Sequence, residues 1–336
     1  MFFSIIIPLY NRPQEIKELL ESLTHQRYTS FEVIVVEDGS SVPAKRVVED
    51  FKDRLDVRYL VKDNQGQGFA RNHGFAYAKG DYFIVFDSDV LVPEDYLHHV
   101  QTAIGQHGWD AFGGPDAAHP SFTEIQKAIS YSMTSPFTTG GIRGNKKHVG
   151  QFHPRSFNMG ISRSVYDATG GFRLSRRSED IEFSIRMIEA GFKVGLIPEA
   201  FVYHKRRATF PQFFKQTNAF GKGRIDIYKL FPAELKAVHM LPAFFVLALA
   251  TLLLLNLSVF IAEERLHFVS FLCVLGNTLI GIYTLLLFSH AWMSTKSWKV
   301  AGLAVVAAYT QLIAYGTGFL SSYMQHVLLK KEQQSA

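Results

Sequence analysis

The stretch "YFIVFDSDV" at residues 82–90 runs an apolar, aromatic segment straight into two aspartates, Asp87 and Asp89, with only Ser88 between them. Two carboxylates at the mouth of a core repel each other and lose hydration, so the pattern asks for positive charge beside them. A divalent cation such as Mg2+ or Mn2+ answers it, because both prefer oxygen ligands and keep positions open for water or a substrate phosphate. Asp-x-Asp occurs in many solvated turns; it is the preceding "YFIVF" that puts this copy at the end of a buried strand. A second acid, Asp38, ends "FEVIVVED" and is followed by Gly39 and Ser40. That turn either brings backbone close to a ligand while Asp38 accepts hydrogen bonds from a nucleoside, or is an ordinary strand-to-helix turn with Asp38 or Ser40 as its cap. In "DNQGQGFARNHG" flexible glycines precede Arg71 and Asn72 early in a helix, where Arg71 either holds a phosphate or base edge or lies on the surface. His204, closing "AFVYH", is a third metal ligand, a phosphate contact or a structural histidine.

These residues need a frame that gathers strand ends, and the periodicities supply one. "FSIIIPLY" reads as a strand, and "PQEIKELLESL" then spaces Ile16, Leu19, Leu20 and Leu23 as one face of a helix, with Pro13 in its first turn. "FEVIVVED", "VRYLV" and "YFIVFD" read as further strands, separated by the helical "PAKRVVEDF" and "FARNHGFAYAK". Strand and helix alternating in this way imply a parallel sheet covered on both faces, with ligands bound beyond the carboxyl ends of its strands. From about Trp109 to Gly150 the chain reads as irregular, with a helix near Thr123 to Tyr131. "SFNMGIS", "KVGLI" and "AFVYH" are strands, and "SEDIEFSIRMIEAG" is a helix stopped at Gly191 whose acidic first turn suits the helix dipole.

Beyond Met240 the composition changes. Apolar stretches run from about Leu241 to Ala262, Leu266 to Ser289 and Val300 to Met324. Each exceeds the roughly 20 residues needed to cross a hydrocarbon core, and the tail lacks the amphipathic helices that would bury them in a soluble domain. Basic residues crowd "HKRRATF" and "FGKGRIDIYKL" ahead of the first stretch, while the first loop, "EER", is net acidic. By the positive-inside rule the preceding domain faces the cytoplasm, on the inner side of a multi-pass cell membrane; the lysines of "KKEQQSA" argue weakly against three spans. The net charge of +5 with this distribution fits lipid head groups or phosphates, and the stacking platform of a nucleic-acid reader is missing. Cys273 is the single cysteine, which excludes an internal disulfide and a thiolate zinc cluster. The apolar start "MFFSIIIPLY" has no basic flank and contains Pro8, so it reads as a strand rather than a signal peptide.

The segments "SIIIPLYNRP", "VVEDGSS", "NQGQGFARNHG", "FDSDV", "FNMGIS", "GGF" and "SEDIEFSIRMIEAGF" resemble family 2 glycosyltransferases in order and approximate spacing, over about Phe3 to His204. The resemblance implies an α/β GT-A nucleotide-diphospho-sugar transferase fold, placed at residues 1–237, and the apolar stretches place a membrane region at 238–328 and a tail at 329–336. It implies that Pro8 and Tyr10 flank the nucleobase, that Asp38 bonds it, and that Arg71 lies near the nucleotide. Asn11, Gly39, Asn72 and Ser88 fall in the same nucleotide-binding motifs. Asp87 and Asp89 would take ribose and metal–diphosphate roles, and "SED" marks the catalytic base, Asp180, with Glu179 as substitute. Glu37 departs from the family, which often has Asp before "DGS". A sugar leaving its diphosphate needs a cation on the leaving group and a carboxylate to take the acceptor's proton. One base without a nucleophilic carboxylate implies inversion, by analogy with inverting glycosidases. Gln216 is followed by Thr217, Asn218, Ala219 and Phe220, so the Gln-x-x-Arg-Trp motif of processive members is absent and one sugar per encounter is expected. The leading expectation is transfer from a nucleotide sugar, a UDP-sugar first, to a lipid-linked or glycan acceptor. A polyprenyl phosphate acceptor, a noncatalytic scaffold and a nucleotidyltransferase are the alternatives.

Overall fold

The structure is a computed structural model that describes residues 1–139, 152–261 and 267–329. The loop "EER", the tail "KKEQQSA" and the 140–150 part of the irregular region lie outside the described residues. By contacts the chain divides into two compact units, Met1–Pro120 with Gly144–Lys205, and Ser121–Arg143 with Arg206–Ala336.

The first unit opens with β1 (Phe3–Leu9), α1 (Pro13–Thr24), β2 (Phe31–Asp38), α2 (Lys45–Glu49), β3 (Val57–Lys62), α3 (Gln67–Tyr77) and β4 (Tyr82–Phe86). These strands pair in parallel in the order β3-β2-β1-β4, as the alternation of elements predicts. All of β1 is buried, and its side chains alternate between two cores. Phe3, Ile5, Ile7 and Leu9 join the α1 face of Ile16, Leu19, Leu20 and Leu23, whereas Ile6 meets Ala70 and Phe75 from α3 on the other side.

After β5 (Val90–Leu91), α4 (Tyr96–His107), β6 (Ala111–Gly113) and β7 (Asp116–Ala117), and after two helices of the second unit, α5 (Glu124–Thr134) and α6 (Pro136–Thr139), come β8 (Asn158–Ser162), α7 (Arg163–Thr169), α8 (Glu179–Glu189), β9 (Val194–Leu196) and β10 (Val202–His204). The large sheet runs β3-β2-β1-β4-β8-β6-β9. β8 is antiparallel to both neighbours, so the sheet is mostly parallel with one reversed strand. A smaller sheet runs β5-β10-β7. Two strands therefore occupy the region read as irregular, and this corrects the sequence expectation. β6 is only "AFG" and β7 only "DA", too short for a period-2 signal, and their pairing is supplied by partners distant in sequence.

The second unit holds α5 (Glu124–Thr134), α6 (Pro136–Thr139), α9 (Phe210–Leu230), α10 (Leu241–Ile261), α11 (His267–Thr295) and α12 (Trp298–Tyr323). α5 lies where a helix was expected; Thr123 caps it, its hydroxyl accepting from Gln126 N while Gln126 accepts from Thr123 N. Leu241–Ile261, His267–Thr295 and Trp298–Leu328 are helices long and apolar enough to cross a membrane. Of the basic segments ahead of them, "FGKGRIDIYKL" lies in the helix α9, whereas "HKRRATF" leads into it. α9 packs against α12 so closely that a Cβ at Gly221 would stand 2.1 Å from Tyr315 O, and one at Gly318 2.2 Å from Asn218 O.

Candidate active site

β1, β2 and β4 are parallel, so the residues that follow them emerge at one edge of the sheet. Beyond β4, Asp87 is partly exposed while Ser88 and Asp89 are buried. β10 pairs antiparallel with β5, which sets His204 opposite Val90 and brings its Nε2 to 3.2 Å from Asp89 Oδ1. Ligand atoms of Asp87, Asp89 and His204 lie within 4.8 Å of one another, the one such cluster among the described residues. Two carboxylates and an imidazole form an oxygen-and-nitrogen donor set that fits Mn2+ or Mg2+. The Phe157 ring stacks on His204 at 4.9 Å between centroids and fixes its plane.

Two arginines already face these aspartates. Arg71 is fully buried in α3; its Nη2 donates to Asp87 Oδ1 at 2.7 Å and its Nη1 to Glu179 Oε1 at 2.9 Å. One guanidinium thus bridges the "DSD" and "SED" motifs. Burial works against the charge on Arg71, but Asp87 and Glu179 outweigh it and hold the group above the ordinary arginine value. Arg12 Nη1 donates to Asp89 Oδ2 at 2.5 Å, a partner 77 positions away that no local pattern announces. Its position does carry a signal in retrospect: Arg12 is the N-cap of α1, a place that favours Ser, Thr, Asp or Asn.

The two acids of α8 have different surroundings. Glu179 is buried and accepts from Arg71 and, at 2.6 Å, from Gln67 Nε2. Burial and the neighbouring Asp180 push its carboxyl up to about 7, against the pull of Arg71. Asp180 keeps 18% of its side chain exposed; Oδ1 accepts from Ile181 N at 2.8 Å, and Oδ2 lies 3.8 Å from Arg155 Nη1. The helix entry is turned by Ser178, whose φ of 61° is a left-handed conformation that non-glycine residues seldom adopt.

The remaining expected residues are placed as follows. Tyr10, after β1, is exposed, and Pro8 is buried in β1 beyond the last β4 pair at Ile6. Asn11, also left-handed with φ 55°, accepts at Oδ1 from Val42 N at 2.9 Å and Ser41 Oγ at 3.1 Å, and so shapes the turn after β2. Asp38 is buried with its carboxylate already engaged: Lys62 Nζ donates at 2.9 Å, Gln65 N at 3.0 Å and Gly66 N at 2.8 Å. Gly39 has φ +69°, and a Cβ there would stand 2.6 Å from Asn64 N, so this glycine is required by close approach within the protein. Asn72 clamps the "GGF" turn, donating to Phe172 O at 2.7 Å and accepting from Phe172 N at 2.8 Å. The glycines expected to be flexible are packed instead. Gly68 N donates to Ser175 O at 2.8 Å, and a Cβ at Gly68 would fall 2.2 Å from Leu174 O. Glu37, the departure from the family pattern, is buried and accepts from Ala44 N at 2.9 Å, Tyr59 OH at 2.7 Å and the Ser40 hydroxyl.

Comparison with known proteins agrees with this frame. The sequence model described as Glycosyl transferase family 2 matches residues 4–170. An uncharacterized glycosyltransferase of Haemophilus influenzae is 30% identical over 61% of this chain and 70% of its own length. The succinoglycan biosynthesis protein ExoA of Rhizobium meliloti is 25% identical over 94% of this chain and 93% of its own. Among solved structures, the mannosyltransferase PcManGT of Pyrobaculum calidifontis, in complex with GDP-Man and Mn2+, aligns with a TM-score of 0.60 at 15% identity, over 93% of this chain and 86% of that one. The motifs, the GT-A sheet and these relatives together make the chain a glycosyltransferase that belongs to family 2.

Proposed function

We propose that this glycosyltransferase is metal-dependent and inverting, and that it moves one sugar from a nucleotide sugar to a lipid-linked or glycan acceptor at a membrane surface. The observation that carries the reading is the Arg71 bridge, because it couples the aspartates at the strand end to the acidic turn that would supply the base. Asp87, Asp89 and His204 would hold Mn2+ or Mg2+, whose chemistry when bound is to neutralise the departing diphosphate. The Mn2+ and GDP-Man bound by PcManGT, a protein of similar fold, support this assignment.

The chain's own groups would do the rest. Asp180, the more accessible acid, takes the proton of the acceptor hydroxyl. Glu179 orients Arg71, and Arg71 orients Asp87. Tyr10 and Pro8 border the base, Ser88 spaces the two aspartates, and Asn11, Asp38, Gly39 and Asn72 hold the surrounding turns in shape. A single base on the acceptor side gives inversion.

Residues 238–328 would anchor the protein, with the catalytic unit on the cytoplasmic side of the cell membrane. Large apolar side chains on α10 and α11, among them Leu253, Leu254, Phe260 and Phe268, remain mostly exposed, as lipid contact would require. Kinship with a succinoglycan biosynthesis protein supports an acceptor in cell-surface polysaccharide assembly.

The test uses membranes containing the full chain, UDP- and GDP-sugars with Mn2+, and labelled lipid-linked oligosaccharide or polyprenyl phosphate. Asp180→Asn and Asp89→Asn should each lower transfer at least about a hundredfold. Transfer at the unmodified rate in both variants would remove the proposed roles.

A further inference from the structure

An arginine at a helix N-cap is an odd choice. It offers no acceptor to the first-turn N–H groups, and it places a cation where the helix dipole is positive. In α1 the Arg12 side chain makes no cap hydrogen bond and turns instead to Asp89 Oδ2. Burial opposes its charge, but Asp89 and then Asp87 more than compensate. Arg71 does the same for Asp87 from the other side. Before any ligand enters, each aspartate therefore already has a guanidinium partner, Arg71 dividing its two arms between Asp87 and Glu179.

A divalent cation brought to Asp87, Asp89 and His204 would add two positive charges beside aspartates that are already paired. Coulomb repulsion from Arg12 and Arg71 at such range is substantial in a partly buried site. The unfavourable charge is removed when a diphosphate arrives with the metal, because its negative oxygens give both the cation and a displaced guanidinium a partner. Of the two arginines, Arg71 is fully buried and tied to Glu179, whereas Arg12 keeps 31% of its side chain exposed and is held at the site by its ion pair with Asp89. Arg12 is the one able to move.

Resting on the glycosyltransferase reading above, we propose that Arg12 is an internal counter-cation on Asp89: it keeps the divalent metal out until a nucleoside diphosphate group arrives, and then swings from Asp89 to that diphosphate. Arg12 is thus a positioning residue that makes metal uptake conditional on donor binding.

The test measures Mn2+ binding to the purified full chain in detergent, following the free-ion electron paramagnetic resonance signal, with and without UDP or GDP as the probe. The unmodified protein should bind Mn2+ alone at least about tenfold more weakly than in the presence of the diphosphate. Arg12→Ala should tighten binding of Mn2+ alone by about ten- to a hundredfold and weaken the diphosphate's own binding, so that the coupling between the two shrinks. Arg12→Lys, which keeps the charge, should restore most of the coupling, a result that a purely structural role would not give. A thermal melt of each variant verifies folding. If folded Arg12→Ala and Arg12→Lys both bind Mn2+ alone as the parent does, while Asp89→Asn abolishes Mn2+ uptake with the diphosphate, the metal site stands and the role of Arg12 is refuted. If Asp89→Asn leaves Mn2+ uptake with the diphosphate unchanged, the site assignment fails and the role of Arg12 fails with it.

Discussion

Glu179 and Asp180 are neighbours in sequence, yet one is locked in a buried pair with Arg71 and the other reaches solvent. The contrast separates their expected phenotypes. Asp180→Asn should fold and melt as the parent does while losing transfer by two or more orders of magnitude, as loss of a general base does. Glu179→Gln should keep more activity but change the pH dependence of stability. Because its carboxyl is raised from 4.5 to about 7, folded protein holds a proton there that unfolded chain has already lost. Stability from this group therefore falls as pH rises from about 4.5 towards 7, and the Gln variant should flatten that part of a melting-temperature profile. Glu37 makes a second residue-scale case: Glu37→Asp shortens the reach to Tyr59 OH and Ala44 N, and about 1–3 kcal/mol of stability should be lost in a denaturant titration. Asp87 and His204 were legible because each ends an apolar run, and Asp89 because it follows Asp87 at a spacing of two. Arg12 and Lys62 were not, because their partners Asp89 and Asp38 reach them through the order of strands and not through spacing along the chain.

The elements divide in the same way. β1 to β4 and the helices between them show their periods plainly, since every strand there is long enough to carry a pattern, and β1, β2 and β4 are buried on both sides while β3 forms the half-buried edge. β6 escapes that reading: its place between β8 and β9 rests on Gly160, where a Cβ would fall 2.0 Å from the Phe112 ring, a fit that exists only in three dimensions. α9 was hidden for a different reason. Its lysines and glycines look like a basic linker until the glycines are matched with those of α12, where Gly221 and Gly318 let the two backbones touch. Gly318→Leu should force α9 and α12 apart, and overpacking of this kind costs about 1–3 kcal/mol, read as an earlier melt in detergent without change in the affinity of the catalytic unit for a nucleoside diphosphate.

At the scale of the whole molecule, the proposed orientation is open to direct measurement. Cysteines introduced one at a time on the exposed face of the first unit, for example at Lys52 or Glu94, should be labelled by a membrane-impermeant maleimide only after the cells are opened. Labelling in intact cells would reverse the orientation. The second unit carries one more implication, because it is assembled from two separate stretches of chain. α5 packs Ala128 and Tyr131 against Ala291, Val300, Ala301 and Ala304, and Tyr131 OH donates to Leu287 O, 156 positions later. At ribosomal speeds of about 5–20 residues per second, α5 must wait roughly 8 to 30 s for the helices it packs against to be synthesised. Throughout that interval its greasy side has no lasting shelter, so this short segment is where a nascent chain would most need a chaperone, and where a truncated product would first be cut by proteases.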